Sequence, residues 1–182
     1  MGKPMRSYPS DDFYTEYLNR LTTKNEKLSL LLRFGVESGL RISDILKIRA
    51  AGLKRTFSVS QTKTKTSKPV TLSAKLYWDL RNFIKANELT GTDFLFFSAP
   101  YRKDKALHRT YVHKVLKAMA TELGAESIGP HSMRKQYAKE VYKATGSIEA
   151  VQKAMQHKNI NTTLHYFVDM AKLKGLIEAA II

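Results

Sequence analysis

The stretch from Asn25 to Ser38 leaves few folds open. Leu28, Leu30, Leu31, Leu32, Phe34 and Val36 put apolar side chains on almost every side of a helix. A helix apolar all round has to be buried, so the rest of the chain must be arranged to cover it. Asp11 to Leu21 reads as a helix ahead of it. Gly39 supplies a stop, and Ser43 followed by Asp44 offers a cap and a first-turn acid for a short helix through Leu46 and Ile48.

The pattern then changes. Thr56-Phe-Ser-Val-Ser60 and Lys68-Pro-Val-Thr-Leu-Ser73 alternate and carry β-branched residues, with a Lys/Thr-rich stretch between them. This predicts a basic β-hairpin. Helical spacing resumes at Leu76, Tyr77, Leu80, Phe83 and Ile84, and again, after the apolar run Phe94 to Phe97, at Val112, Val115, Leu116, Met119 and Leu123. A further helix is expected from about Ser132 to Ala144. Gly146 and Ser147 stop it and cap the next, which carries Ile148, Val151 and Met155, and two more short helices follow. The expected class is mainly α with a small antiparallel β-sheet (α+β). With 182 residues, 43% of them hydrophobic, and no internal repeat or long linker, one domain over 1–182 is expected.

Lys and Arg number 31 against 16 Asp and Glu, a formal net charge of +15. Such a surface attracts polyanions, and nucleic acid is the foremost partner. The absence of cysteine excludes disulfides, thiolate metal sites and a cysteine nucleophile. The first residues lack the apolar core of a signal peptide, and no apolar run reaches the roughly 20 residues needed to span a bilayer. A cytoplasmic protein without membrane contact is expected.

The chain holds no Gly-x-Ser-x-Gly elbow, no His-Glu-x-x-His and no Gly-rich phosphate loop, so the common hydrolase and NTPase readings lack support. What stands out is a cluster in the last third: His131-Ser-Met-Arg134, then His157 with Tyr166 nine positions later. Taken singly, each residue has an ordinary explanation. An isolated Arg is usually a surface ion-pair partner, and a helical Tyr usually packs with its hydroxyl satisfied.

Taken together, these residues resemble the C-terminal signature of the tyrosine recombinases of the phage-integrase type. Ser38-Gly-Leu-Arg-Ile-Ser-Asp-Ile-Leu46 resembles that family's first arginine box, and Lys65-Thr-Ser-Lys-Pro-Val-Thr-Leu72 resembles the hairpin that supplies its catalytic lysine. The resemblance implies the tyrosine recombinase catalytic-domain fold and the catalytic set Arg41, Lys65, His131, Arg134, His157 and Tyr166. Tyr166 would be the nucleophile, leaving a 3′-phosphotyrosyl link. Arg41 and Arg134 would hold the extra negative charge of a phosphorane-like state. Lys65, or Lys63 in the same loop, would protonate the leaving 5′-oxygen. His131 and His157 would assist deprotonation of the tyrosine and hydrogen-bond the phosphate oxygens. Lys63 and Lys68 are expected to contact DNA.

No cofactor is implied, and no metal, since the proposed site gathers cations without a carboxylate. The resemblance further implies double-stranded DNA as partner and a homotetramer on DNA, monomeric when free, with the tail 167–182 exchanged between protomers or folded on its own chain. The departures are Gln156, where glycine is common before the histidine, Ser73, where proline is common, and the front of the chain. Only about forty residues precede Arg41, so the family's N-terminal clamp domain is expected to be absent. A DNA-binding regulator that no longer cuts, a topoisomerase-like enzyme or a telomere-resolving one would carry the same motifs.

Overall fold

The structure, a computed structural model, describes residues 7–63 and 65–164. They belong to two compact units, Met1–Tyr137 and Ala138–Ile182.

The first unit is built around α2 (Glu26–Ser38), where Leu28, Leu31, Leu32 and Phe34 are fully buried. Asn25 caps it by accepting from the Leu28 amide at 3.1 Å, and Gly39 ends it at φ +59, a conformation that favours glycine. Its coverings are α1 (Asp11–Lys24), the short α3 (Ile42–Ile45), α4 (Ala74–Ala86) and the second strand of the first hairpin. On the far side of α1 lies α5 (Arg109–Glu122), to which buried Tyr17 donates a hydrogen bond at the Leu116 carbonyl, 2.8 Å. Half-buried Arg33 and Asp79 pair at 2.6 Å and join α2 to α4.

The first hairpin pairs β1 (Thr56–Ser60) with β2 (Ser67–Thr71) antiparallel, Thr56 opposite Thr71 and Ser60 opposite Ser67. On β2 the inward positions are Lys68 and Val70, so a lysine occupies a core-facing place. Ser73 follows as the cap of α4, accepting from the Leu76 amide. Its own amide and hydroxyl donate to Glu37 at 2.8 Å each, so the amide that a proline would lack is in use.

A second two-stranded sheet, β3 (Phe97–Ala99) with β4 (Arg102–Ala106), was not expected. Arg-Lys-Asp-Lys-Ala offers no apolar alternation, and most of β4 is exposed, so only its hydrogen bonding to β3 makes it a strand. The short helix α3 also starts earlier than Ser43 suggests. Arg41 holds its cap position, and Asp44 is the first-turn acid expected, with its buried carboxylate bonded to Thr62.

Helix α6 (Pro130–Thr145) begins on a proline, whose missing N–H costs nothing at a first helical position. In the second unit Gly146 (φ +64) closes α6, and Ser147 caps α7 (Ile148–Met155) by accepting from the Ala150 amide at 3.0 Å. Residues 160–164 are again helical. Among the described residues no helix is long and apolar enough to cross a membrane.

Candidate active site

In the first unit the two arginines of the sequence motifs are both fixed by backbone or amide oxygens. Arg41, in extended conformation ahead of α3, donates from its guanidinium to Gln61 Oε1 at 2.7 Å. Gln61 is 1% exposed, at the end of β1. Arg134, on the first turns of α6 and 2% exposed, donates to the Gly39 carbonyl, the residue that closes α2. Burial of a guanidinium is costly unless its donors are met. Among the described residues Arg41 makes no ion pair.

Gly39 is forced by its surroundings as well as by its φ. A Cβ there would run into the Tyr137 ring, which lies directly against it. The ring in turn is covered by Lys68, whose Nζ sits 4.5 Å from the ring centroid. Lys68 is 4% exposed and its ammonium has no hydrogen-bond partner among the described residues. Burial, reinforced by the Arg134 and Arg41 charges, pushes its pKa down to about 7. Partial desolvation and the Arg134, Lys135 and Arg41 charges likewise hold the His131 imidazole below the usual histidine value, although the residue as a whole is exposed. Arg41, Lys68, His131 and Arg134 thus share one electropositive locality.

The hairpin loop is tied to the same place. Asp44, 1% exposed, accepts from the Thr62 amide at 3.0 Å and from its hydroxyl at 2.9 Å, and Lys47 Nζ donates to that hydroxyl at 2.9 Å. Lys63 and Lys65 are both exposed on this loop, Lys65 at φ +57 with its amide bonded to the Gln61 carbonyl at 3.0 Å. Gln61 and Thr62 are not singled out by the sequence, and Asp44 stands out there only as a first-turn acid. Only the alternation that puts Lys68 in phase with Val70 and Leu72 hinted at the buried lysine.

In the second unit His157 Nδ1 lies 3.0 Å from the Thr163 hydroxyl, which is fully buried. The His157 carbonyl accepts from Gln152 Nε2 at 3.1 Å, and its amide donates to the Gln152 carbonyl at 3.0 Å. Gln156 takes the left-handed φ of +54 that a glycine would hold without strain. Tyr166 and the tail 167–182 lie outside the described residues.

In the first unit, a buried arginine, an anchored one and an inward-facing hairpin lysine gather positive charge of the kind that suits an anionic group. The Phage integrase family model matches residues 13–172, and the chain belongs to that family. A probable integrase/recombinase of Bacillus subtilis, YoeC, is 28% identical over 90% of this chain and 88% of its own length. The tyrosine recombinase XerA of Pyrococcus horikoshii is 26% identical over 85% of this chain and 54% of its own length, so the chain spans about half of such longer relatives. Among solved structures, a XerA recombinase superposes with a TM-score of 0.76 at 17% identity, covering 98% of this chain and 66% of that one. XerH bound to a palindromic difH substrate also gives 0.76, at 23% identity over 98% of this chain and 53% of that one. The fold is that of the tyrosine recombinase catalytic domain, and the expected mainly helical architecture is borne out.

Proposed function

We propose that this domain cuts and rejoins double-stranded DNA as the catalytic part of a site-specific recombinase. One observation carries the reading: buried Arg134 and anchored Arg41 are gathered in one electropositive locality with Lys68 and His131. Such a cluster suits a phosphate whose charge grows during reaction. XerH, one of the superposing proteins, is described as DNA-bound in a post-cleavage complex.

In the proposed reaction the Tyr166 hydroxyl attacks the phosphorus and gives up its proton with the help of His131 and His157. The bond to the 5′-oxygen breaks as that oxygen takes a proton from the Lys65 ammonium, with Lys63 as the loop's other donor. The DNA is left on Tyr166 through a 3′-phosphotyrosyl ester, which conserves the bond energy, and an incoming 5′-hydroxyl reverses the steps. Lys63 and Lys68 meet the DNA phosphates. A homotetramer on two DNA sites, with 167–182 passed between protomers, would carry out the exchange in the cytoplasm.

Nicked suicide duplexes of randomised sequence test the reading. A denaturing gel is expected to show a covalent protein–DNA band that Tyr166→Phe abolishes, and sequencing of the trapped DNA would give the site. DNA binding without any covalent band would instead make the chain a regulator.

A further inference from the structure

Lys68 is a lysine in an apolar strand position, and nothing in the proposed chemistry requires it to be buried. On β2 it shares the inward face with Val70, where a methionine or leucine would serve packing better. Its ammonium is enclosed and lacks a hydrogen-bond partner among the described residues, and the aromatic face of Tyr137 is beneath it. The charged or titratable groups that face it are Arg134 and Tyr137 from α6 and Arg41 ahead of α3. Its cross-strand neighbour is Val59, and the carboxylate of Glu37 on α2 is engaged by Ser73. A cation held beside two others, with no carboxylate to meet it among the described residues, is an arrangement completed by an anion.

The geometry points to Lys68 as the floor of the phosphate pocket, a lysine that takes up a proton from solvent as the scissile phosphodiester settles against Arg41 and Arg134 and then holds that anion from the protein side. This rests on the strand-cleavage reading and gives Lys68 a place within its phosphate site rather than on the surrounding DNA surface. Without the anion the lysine is about half neutral near pH 7 and mostly neutral by pH 8, which spares the pocket part of a third charge. With the anion in place the attraction favours the ammonium, so binding and proton uptake are coupled.

The test uses sulfate as probe, a doubly charged tetrahedral anion that does not itself titrate near neutrality. In the free protein the 13Cε and 1Hε signals of Lys68 are expected to titrate close to neutrality, and saturating sulfate is expected to move that midpoint up by more than about one pH unit. A Lys68 that titrates in the ordinary lysine range in the free protein, or one whose midpoint ignores bound sulfate, overturns the proposal. A second readout is calorimetry with a short DNA duplex at about pH 8, in buffers of different ionisation enthalpy, where His131 is neutral and adds nothing. Wild type is expected to take up roughly one proton more than Lys68→Met. Equal uptake by the two proteins overturns the role. Because the strand-cleavage reading is scored by the covalent Tyr166 adduct, DNA cleavage without proton uptake removes the role of Lys68 alone, and loss of the adduct removes the reading beneath it.

Discussion

The Arg41 guanidinium donates to Gln61 Oε1 at 2.7 Å, so a residue at the end of β1 orients the first arginine of the proposed phosphate site. The neutral amide matters here: it fixes the guanidinium without cancelling its charge.

Gln61→Glu is therefore expected to keep the hydrogen bond while placing a carboxylate beside Arg41. The added charge would compete with the DNA phosphate, and affinity for a short duplex should fall about tenfold or more at low salt, with little change in melting temperature. Fluorescence anisotropy measures the first and thermal unfolding the second. Undiminished affinity would mean that Arg41 does not meet the phosphate.

Asp44 ties the hairpin loop to α3 through the Thr62 amide and hydroxyl. Asp44→Ala leaves the Thr62 amide without that acceptor, so a loss of about 1–3 kcal/mol in urea unfolding is expected. Amide exchange at Thr62 should accelerate more than exchange in the β1–β2 ladder, since the loop is released before the strands part.

Gly39→Ala is expected to be more damaging. The alanine would have to hold φ +59 with its methyl in the Tyr137 ring. The left-handed penalty of about 1–2 kcal/mol and a similar overpacking cost add. The Gly39 carbonyl also accepts from Arg134, so DNA affinity should drop along with the denaturation midpoint.

Much of this site was legible in the chain, and the missing part has a physical reason. Arg41, His131, Arg134 and His157 stand out because they belong to short motifs around helix starts. Lys68 was assigned to the DNA surface on charge, although its period-two phase with Val70 and Leu72 already placed it on the inner face. The burial of Gln61 and Asp44 was out of reach. Their partners lie twenty and eighteen residues away across the hairpin, and a polar residue at a strand end or in a short helix gives no local sign that it will be buried. The β3–β4 hairpin escaped for the opposite reason, since its second strand is nearly all charge.

Lys68 also sets a pH dependence of stability. Burial brings its pKa near 7 in the folded protein, against an ordinary lysine value of 10.5 in the unfolded chain. Between those limits the unfolded chain binds the extra proton, so the contribution of this group to stability rises with pH from about 7 to about 10.5 and is least favourable below pH 7. Lys68→Met removes the titration, and the stability difference, mutant minus wild type, should be largest near pH 6 and shrink towards pH 10, by roughly 3–5 kcal/mol over the full range. Urea unfolding of both proteins across that range measures it. A difference that does not vary with pH would mean that the lysine remains charged in the folded protein.

Gln156 offers a test of strain in the second unit. It ends α7 at φ +54, a positive φ being the conformation glycine adopts freely and other L-residues only at a cost of about 1–2 kcal/mol. Glycine also gives the unfolded chain more freedom, which offsets part of that gain. Gln156→Gly is therefore expected to stabilise by about 0.5–1 kcal/mol, read from the denaturation midpoint. The His157 amide and carbonyl are both bonded to Gln152, so the histidine should keep its place, and the yield of the covalent DNA adduct should be unchanged. A fall in that yield with stability intact would show that the Gln156 side chain itself takes part at the phosphate.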